Sequence, residues 1–444
     1  MSLKVERLGN ILIESRVPAV NPNPDKRIRV KLNILGVEKR PLENEIEGAT
    51  KQFIRKAGQF IYGRQNFHKG AFGIVPDELD GFETSADIPS FDVREDCLAE
   101  WIFYFFKVGN RYLELEKLAR GVGSKRIHPE QIADIEIPLP SIKDQRIFID
   151  NFKLIESKNN ELSTELIHQL DLVKKLRQQL LQDAVQGKIA PQNTNDEPAS
   201  ELLKKIGAEK QKLIDNKQIK QGKIQEAELQ EELLFEIPEN WVWCTLDDIS
   251  KNITDGTHQT PSYTNSGRIF LSAQNIKPFK FMPEEHKFVS EEAYNEIIKN
   301  RKPEYGDILV ARVGAGIGEA AVINQEIDFC FYVSLGLIQP FKSYLNADYL
   351  TLVINSPYGV KYAKGNISSK GGSAGNFNLG RIRSFLIPLP PLNEQKRIVQ
   401  KLGELMQTCD ALEASIKESA VQNEKLLQQV LREALQPESV LSVN

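Results

Sequence analysis

An internal repeat constrains this chain more than any other feature. Ile137-Pro138-Leu139-Pro140 returns as Ile387-Pro388-Leu389-Pro390, a displacement of 250 residues counted from Pro138 to Pro388. The register then holds through Gln145 and Gln395, Leu162 and Leu412, Leu176 and Leu426, Gln178-Gln179 and Gln428-Gln429, and Ala184 and Ala434. Upstream it slips by two: Gly58-Gln59-Phe60-Ile61 with Arg64 aligns with Gly306-Asp307-Ile308-Leu309 with Arg312. A duplication sustained in register predicts that each copy builds its own core. Short apolar runs such as Phe60 to Tyr62, Ile308 to Val310 and Ala320 to Ile323, punctuated by glycine, predict strands in both copies.

After each Ile-Pro-Leu-Pro the apolar period changes. Ile398, Leu402, Leu405, Cys409, Leu412 and Ile416 are spaced 4-3-4-3-4, which predicts one narrow stripe on a helix, the seam of a coiled coil. The first copy answers with Phe148, Phe152, Ile155, Asn159, Leu162 and Leu166, continuing through Val173, Leu176 and Leu180. Proline stops the preceding strand, and Asp144 or Glu394 in the first turn suits the positive end of the helix dipole. From Phe148 to Leu180 such a helix runs about 50 Å, more than a domain needs. The only matching stripe in the chain belongs to the other copy, so the two helices are expected to pair antiparallel. The pairing residues would be Phe148, Phe152, Ile155, Leu162, Leu166 and Leu176 against Ile398, Leu402, Leu405, Leu412, Ile416 and Leu426. The competing expectation is that each helix folds back on its own domain.

The fold class that follows is α+β, two mixed α/β domains joined by two long antiparallel helices with a pseudo-two-fold repeat. The expected limits are a first domain over 1–140, a helix over 141–187 and a turn-rich linker with a short helix over 188–235. A second domain over 236–390, a second helix over 391–436 and a tail over 437–444 complete the order.

Charge narrows the function classes. The net charge of −4 is not that of a free-standing DNA binder, but its distribution is uneven. Lys51, Arg55, Lys56, Arg64 and Lys69 share residues 51–70 with no acid, as do Lys361, Lys364, Lys370, Arg381 and Arg383 over 359–383. Two readings are open: solvated faces, or local basic patches for phosphate on a molecule whose other surfaces meet protein partners. Cys97, Cys244, Cys330 and Cys409 lie far apart without a Cys/His cluster, which argues against a zinc site or a disulfide framework. Met1 to Glu6 has no apolar signal core, and the run near Trp101 to Phe106 is too short for a membrane span, so a soluble, cytoplasmic protein is expected.

Two motifs suggest catalysis. Val313-Gly314-Ala315-Gly316-Ile317-Gly318 has the look of a nucleotide or S-adenosylmethionine loop, but its repeat partner Gln65 to Gly70 keeps only the last glycine. Asn355-Ser356-Pro357-Tyr358 is close to the Asn-Pro-Pro-Tyr box of amino-methyltransferases, broken where serine replaces the first proline. Both are read as turns. No catalytic residue and no metal ligand set emerges.

Ile237-Pro238-Glu239-Asn240-Trp241-Val242-Trp243-Cys244-Thr245-Leu246-Asp247-Asp248-Ile249 and Asp255-Gly256-Thr257-His258-Gln259-Thr260-Pro261 resemble the opening of a target-recognition domain in specificity subunits of type I restriction-modification enzymes. The linker phrase Asn195 to Leu203 and the exits Pro138-Leu139-Pro140 with Gln145 and Pro388-Leu389-Pro390 with Glu394-Gln395 are similar to the same family, in its order. The first copy departs at Val5 to Asn10, which lacks the tryptophans of Trp241 to Trp243.

The resemblance implies a non-catalytic reader of double-stranded DNA with a bipartite target. It implies two modification subunits and two restriction subunits as partners, which would carry S-adenosylmethionine, ATP and magnesium; none is expected in this chain. Loops bearing donors and acceptors beside basic side chains are the expected DNA contacts. These are Arg64, Lys69, Lys125 and Arg126 in the first copy, and Thr257, His258, Gln259, Thr260, Arg312, Lys370, Ser373 and Asn376 in the second. The alternatives are a self-contained DNA adenine methyltransferase and a coiled-coil scaffold unrelated to DNA.

Overall fold

Short apolar runs such as Phe60–Tyr62, Ile308–Ala311 and Phe329–Phe331, rich in aromatic and β-branched residues, are too short for amphipathic helices and form strands. In the computed structural model, which describes residues 4–41, 50–121, 125–219, 235–299, 301–367 and 375–434, the chain divides into two compact units. One is Met1–His168 with Ile416–Asn444, the other Gln169–Ser415.

The duplication is visible in the topology. In the first unit the strands Leu12–Ser15, Ser90–Val93, Phe60–Tyr62 and Phe72–Ile74 form an antiparallel sheet in that order. In the second, Ser250–Asp255, Leu335–Pro340, Ile308–Ala311 and Ala320–Val322 form another in the same order. Gly58 and Gly306, at equal places before the third strand of each sheet, both have φ of +80°, a conformation open to glycine and costly for other residues. The Ile-Pro-Leu-Pro exits end strands that pair antiparallel with the first strand of their own domain, Val5–Arg7 with Glu136–Pro138 and Val242–Thr245 with Leu386–Leu389.

The glutamine after each exit explains why the repeat keeps it. Gln145 donates to Pro140 O at 2.9 Å and accepts from Leu98 N at 2.8 Å. Gln395 donates to Pro390 O at 3.0 Å and accepts from Asn346 N at 2.9 Å. Leu98 and Asn346 are the residues that precede the helices Ala99–Lys107 and Ala347–Asn355, so one amide satisfies an orphan helix donor and fixes the angle at which the long helix leaves.

The cores differ in filling. The first is aromatic, with the Phe67 ring 4.5 Å from Tyr62 and 4.9 Å from Phe106. The second is mostly aliphatic, around Leu350, Val353, Ile338 and Ile387. The second domain also carries a four-stranded sheet with no four-stranded counterpart among the described residues of the first, ordered Tyr263–Thr264, Lys287–Val289, Arg268–Leu271 and Phe329–Phe331, against the helix Glu291–Ile298.

The long helices are Ile142–Val185 and Leu392–Ala434, of 44 and 43 residues. Each begins on its own domain: Phe148 and Phe152 lie 5.9 Å from Trp101 and 5.1 Å from Tyr104, and Ile398 and Leu402 join the second core. Farther along, each helix meets the other. In the first unit Asn423 Nδ2 donates to Asn159 Oδ1 at 2.8 Å, while Leu427 packs against the cluster that holds Phe152. In the second, Arg177 reaches Asp410 at 2.7 Å and Glu413 at 2.9 Å, while Leu180 and Leu181 pack in the cluster that holds Leu402 and Met406. Residue numbers rise along one helix as they fall along the other, so in each unit the two run antiparallel.

The expected seam needs a correction. Phe152, Leu166, Val173, Ile398, Leu402 and Cys409 are buried, and Ile155, Leu405 and Ile416 partly so. Leu162, Leu176, Leu412 and Leu426 are exposed. The second column of the first helix is Glu156, Ser163, Leu170, Arg177 and Ala184, and on the second helix Glu413 and Leu427 stand where leucines 412 and 426 were expected. Arg177 with Glu413 and Asn159 with Asn423 stand in the seam because each finds its partner on the other helix, while Glu156 is held by Tyr104 and Lys107 of its own domain; an apolar periodicity registers neither.

Candidate nucleic-acid interface

The end of the third sheet strand gathers several of the expected contact residues in each domain. In the second, Phe377 N donates to Arg312 O at 2.9 Å, and Val313 bridges to Asn376. Thr257 bridges to Tyr332, and Val333 N donates to Thr257 O at 3.0 Å. The segments 255–260, 311–313 and 375–377 therefore converge on Arg312. The residue is 4% exposed, and its side chain donates to Phe377 O and Val333 O, each at 3.1 Å, and to the Asp255 carboxylate. Burial pulls this guanidinium below its ordinary value, and Asp255 opposes the shift.

That arrangement makes Arg312 a clamp for the loop 255–260. Arg301, which sequence reasoning missed, adds bonds to Asp255 O at 3.1 Å and Gly256 O at 2.7 Å. Gly256 leaves no space for a Cβ beside the Phe331 carbonyl. Thr257 Oγ1 turns back to Gln259. His258, Gln259 and Thr260 are left exposed, with His258 Nε2 3.2 Å from Asp255. The loop thus has a braced base and exposed polar tips able to donate and accept hydrogen bonds.

In the first domain Ile127 N donates to Arg64 O at 2.8 Å, the counterpart of Phe377 on Arg312. Arg64 N in turn donates to Asp87 O, and the Asp87 carboxylate meets Arg126 Nε at 3.2 Å. Arg64, Lys125 and Arg126 thus lie together, with Lys125 exposed. Lys69 is exposed at the end of the turn Phe67–Lys69. Lys370 and Ser373 lie outside the described residues.

Of the two motifs that suggested catalysis, one is built into the core and the other is a turn. Asn355 Oδ1 accepts from Ala320 N at 3.0 Å and its Nδ2 donates to Ala320 O at 2.8 Å, while Tyr358 Oη donates to Leu386 O at 2.9 Å. The glycine-rich run is a turn between the strands Ile308–Ala311 and Ala320–Val322, with Gly318 N on Ala311 O. Among the described residues no group of three or more His, Cys, Asp or Glu is placed to hold a metal, and no helix is long and apolar enough to cross a membrane.

Comparison with known proteins places this geometry. The family model described as "Type I restriction modification DNA specificity domain" matches residues 32–172 and 238–421. The chain is 33% identical over 270 residues to the specificity subunit of the type I restriction enzyme EcoAI of Escherichia coli, covering 58% of this chain and 44% of that one. It is 34% identical over 275 residues to the EcoEI specificity subunit of Escherichia coli, covering 58% and 43%. The chain thus matches under half the length of these curated relatives. Among solved structures, the HsdS subunit from Thermoanaerobacter tengcongensis superimposes with a TM-score of 0.58 at 18% identity, over 98% of this chain and 96% of that one.

Proposed function

Because the chain belongs to the family of type I restriction-modification DNA specificity domains, we propose that it is the non-catalytic sequence reader of such a system. Each of its two domains would read one block of a bipartite double-stranded target. The carrying observation is the repeated construction: one strand end, at Arg64 and at Arg312, collects polar and basic loops of unlike sequence in two domains of like topology. Unlike loops on like frames suit two different half-sites.

The contacts proposed for the first domain are Arg64, Lys69, Lys125 and Arg126. For the second they are Thr257, His258, Gln259, Thr260, Asn376, Lys370 and Ser373, with Arg312 assigned to positioning. Half-sites on one face of B-DNA lie about 34 to 36 Å apart per turn. A helix of 44 residues is about 66 Å long, enough to serve as a spacer at that reach. Two modification and two restriction subunits are the proposed partners, and S-adenosylmethionine, ATP and magnesium belong to them. The exposed leucines 162, 176, 412 and 426 supply apolar docking surface on the spacer. The site of action is the cytoplasm.

Co-expression with the adjoining modification subunit, followed by mapping of methylated adenines, tests the reading. One motif of two blocks separated by a fixed gap is expected. No methylation, or an ungapped motif, counts against it.

A further inference from the structure

Beside Arg64 lies a pocket of about 160 Å³ lined by Glu14, Ser15, Arg16, Phe53, Arg55, Arg64 and Ala86. At roughly 30 Å³ per water it holds a few waters or one small polyatomic anion. Arg55 forms its inner wall and is 1% exposed. The Arg55 guanidinium donates to Thr84 Oγ1 at 2.6 Å, Ser15 O at 2.8 Å, Ser90 Oγ at 2.9 Å and Ile88 O at 3.0 Å. All four acceptors are neutral. A buried cation held only by neutral acceptors carries a large desolvation cost, which a counter-anion would offset.

Arg64 adds a second sign of a missing partner. Its Nε is buried with no hydrogen-bond partner, and no ion pair of its side chain is found among the described residues. A buried N–H without an acceptor is rare in native structures. The lining holds one carboxylate, Glu14, and Arg16 binds it at 2.8 Å from the mouth of the pocket, where the Arg16 side chain is 64% exposed. Three guanidiniums therefore face one carboxylate.

The repeat supplies the comparison. Arg312 holds the place of Arg64 in the second domain, and there the chain provides its own anion, Asp255. Arg301 grips the Asp255 and Gly256 carbonyls as Arg55 grips that of Ser15. The first domain has the two cations and lacks the equivalent of Asp255.

We propose that the pocket formed by Arg16, Arg55 and Arg64 is a binding site for one phosphate group, and that a backbone phosphate of the target duplex fills it. The source of the phosphate rests on the DNA-reading function; the anion site does not. Arg64 then anchors the first domain on its half-site without reading a base.

The test uses the full-length chain and the variants R64Q and R64K, because R55Q removes a buried charge and threatens folding. Inorganic phosphate is followed by phosphorus NMR in chloride buffer, and duplex binding is measured for the chain assembled with its modification subunit. Line broadening of phosphate by the wild type, lost in R64Q and kept in R64K, is expected. R64Q should also weaken duplex binding about three- to tenfold on cognate and unrelated sequences alike, and lower the log–log salt slope by about 0.9. Broadening without any change in duplex affinity or slope keeps the anion site and overturns the DNA backbone as its source. No broadening by the wild type together with unchanged duplex binding by R64Q overturns the site while leaving the DNA-reading function intact. A loss confined to the cognate sequence overturns it in favour of base reading. An assembled wild type that binds no duplex sinks the functional reading instead, and the phosphate measurement still decides the pocket.

Discussion

Arg177 donates to Glu413 at 2.9 Å across the helix pair of the second unit, and the other arm of the same guanidinium lies 2.7 Å from Asp410. An arginine in an apolar seam is tolerated because both arms find acceptors and its stem packs along the helix. The side chains are 25% and 37% exposed at Arg177 and Glu413, so solvent screens the pair. A double-mutant cycle with R177A and E413A, followed by urea denaturation, should give a coupling of about 0.5 to 1 kcal/mol that falls as salt rises. A coupling near zero would place the pair among ornamental surface contacts.

The two leucine columns of the long helices should behave oppositely. Leu166→Ala removes a buried side chain and is expected to cost about 2 kcal/mol or more. Leu162→Gln and Leu412→Gln should stay within about 0.5 kcal/mol of the wild type in the isolated chain. The same exposed changes should reduce co-purification with the modification subunit. Equal destabilisation by both sets would restore the original assignment of the seam.

Glu394 is buried, accepting from Trp241 Nε1 at 2.9 Å and from Gln192 Nε2 at 2.5 Å. Burial raises its folded pKa above the ordinary carboxylate value of 4.5, although these hydrogen bonds oppose the shift. A raised carboxylate pKa means that the folded state holds the proton more tightly than the unfolded state. The native protein should therefore gain stability from this group as pH falls through the folded pKa toward 4.5, with no further gain below it. E394Q mimics the protonated form, so it should be more stable than the wild type at neutral pH, and the two should converge in acid. Unfolding midpoints measured from neutral pH down to pH 4 read this directly; a variant less stable throughout contradicts it.

Gly256→Ala should displace the loop 255–260, because its methyl group would overlap the Phe331 carbonyl. A loss of about tenfold in specific duplex binding by the assembled complex, near 1.4 kcal/mol, is the expected outcome. Gly207→Ala is the control: nothing lies within 4 Å of its added Cβ in the helix Ala199–Asp215, and it should stabilise by about 0.4 to 1 kcal/mol. Intact binding by the Gly256 variant would separate the loop from recognition.

Much of the fold is legible in the residues because its signals are local. The spacing of Ile398, Leu402, Leu405 and Cys409 marks a helix, Pro140 and Pro390 mark the strand ends, and the glutamines at 145 and 395 reveal a duplicated joint. The choice between Leu412 and Glu413 for the seam is not local. It depends on Arg177, hundreds of residues away, and periodicity ranks leucine over glutamate wherever both fall near the stripe. The extra sheet of the second domain is hidden for a similar reason, since its strands Tyr263–Thr264 and Lys287–Val289 are short and pair beyond their neighbours.

Residue order alone reveals two copies, the approximate start of each long helix, and the equivalence of Arg64 and Arg312. Repetition and helical period are one-dimensional properties, so a linear string carries them whole. That Arg312 is buried against Asp255 while Arg64 borders a pocket emerges from the folded arrangement and not from residue order. The difference between a clamp and a contact lies in which carboxylate folds to within bonding distance, and that is set by packing among segments far apart in the chain.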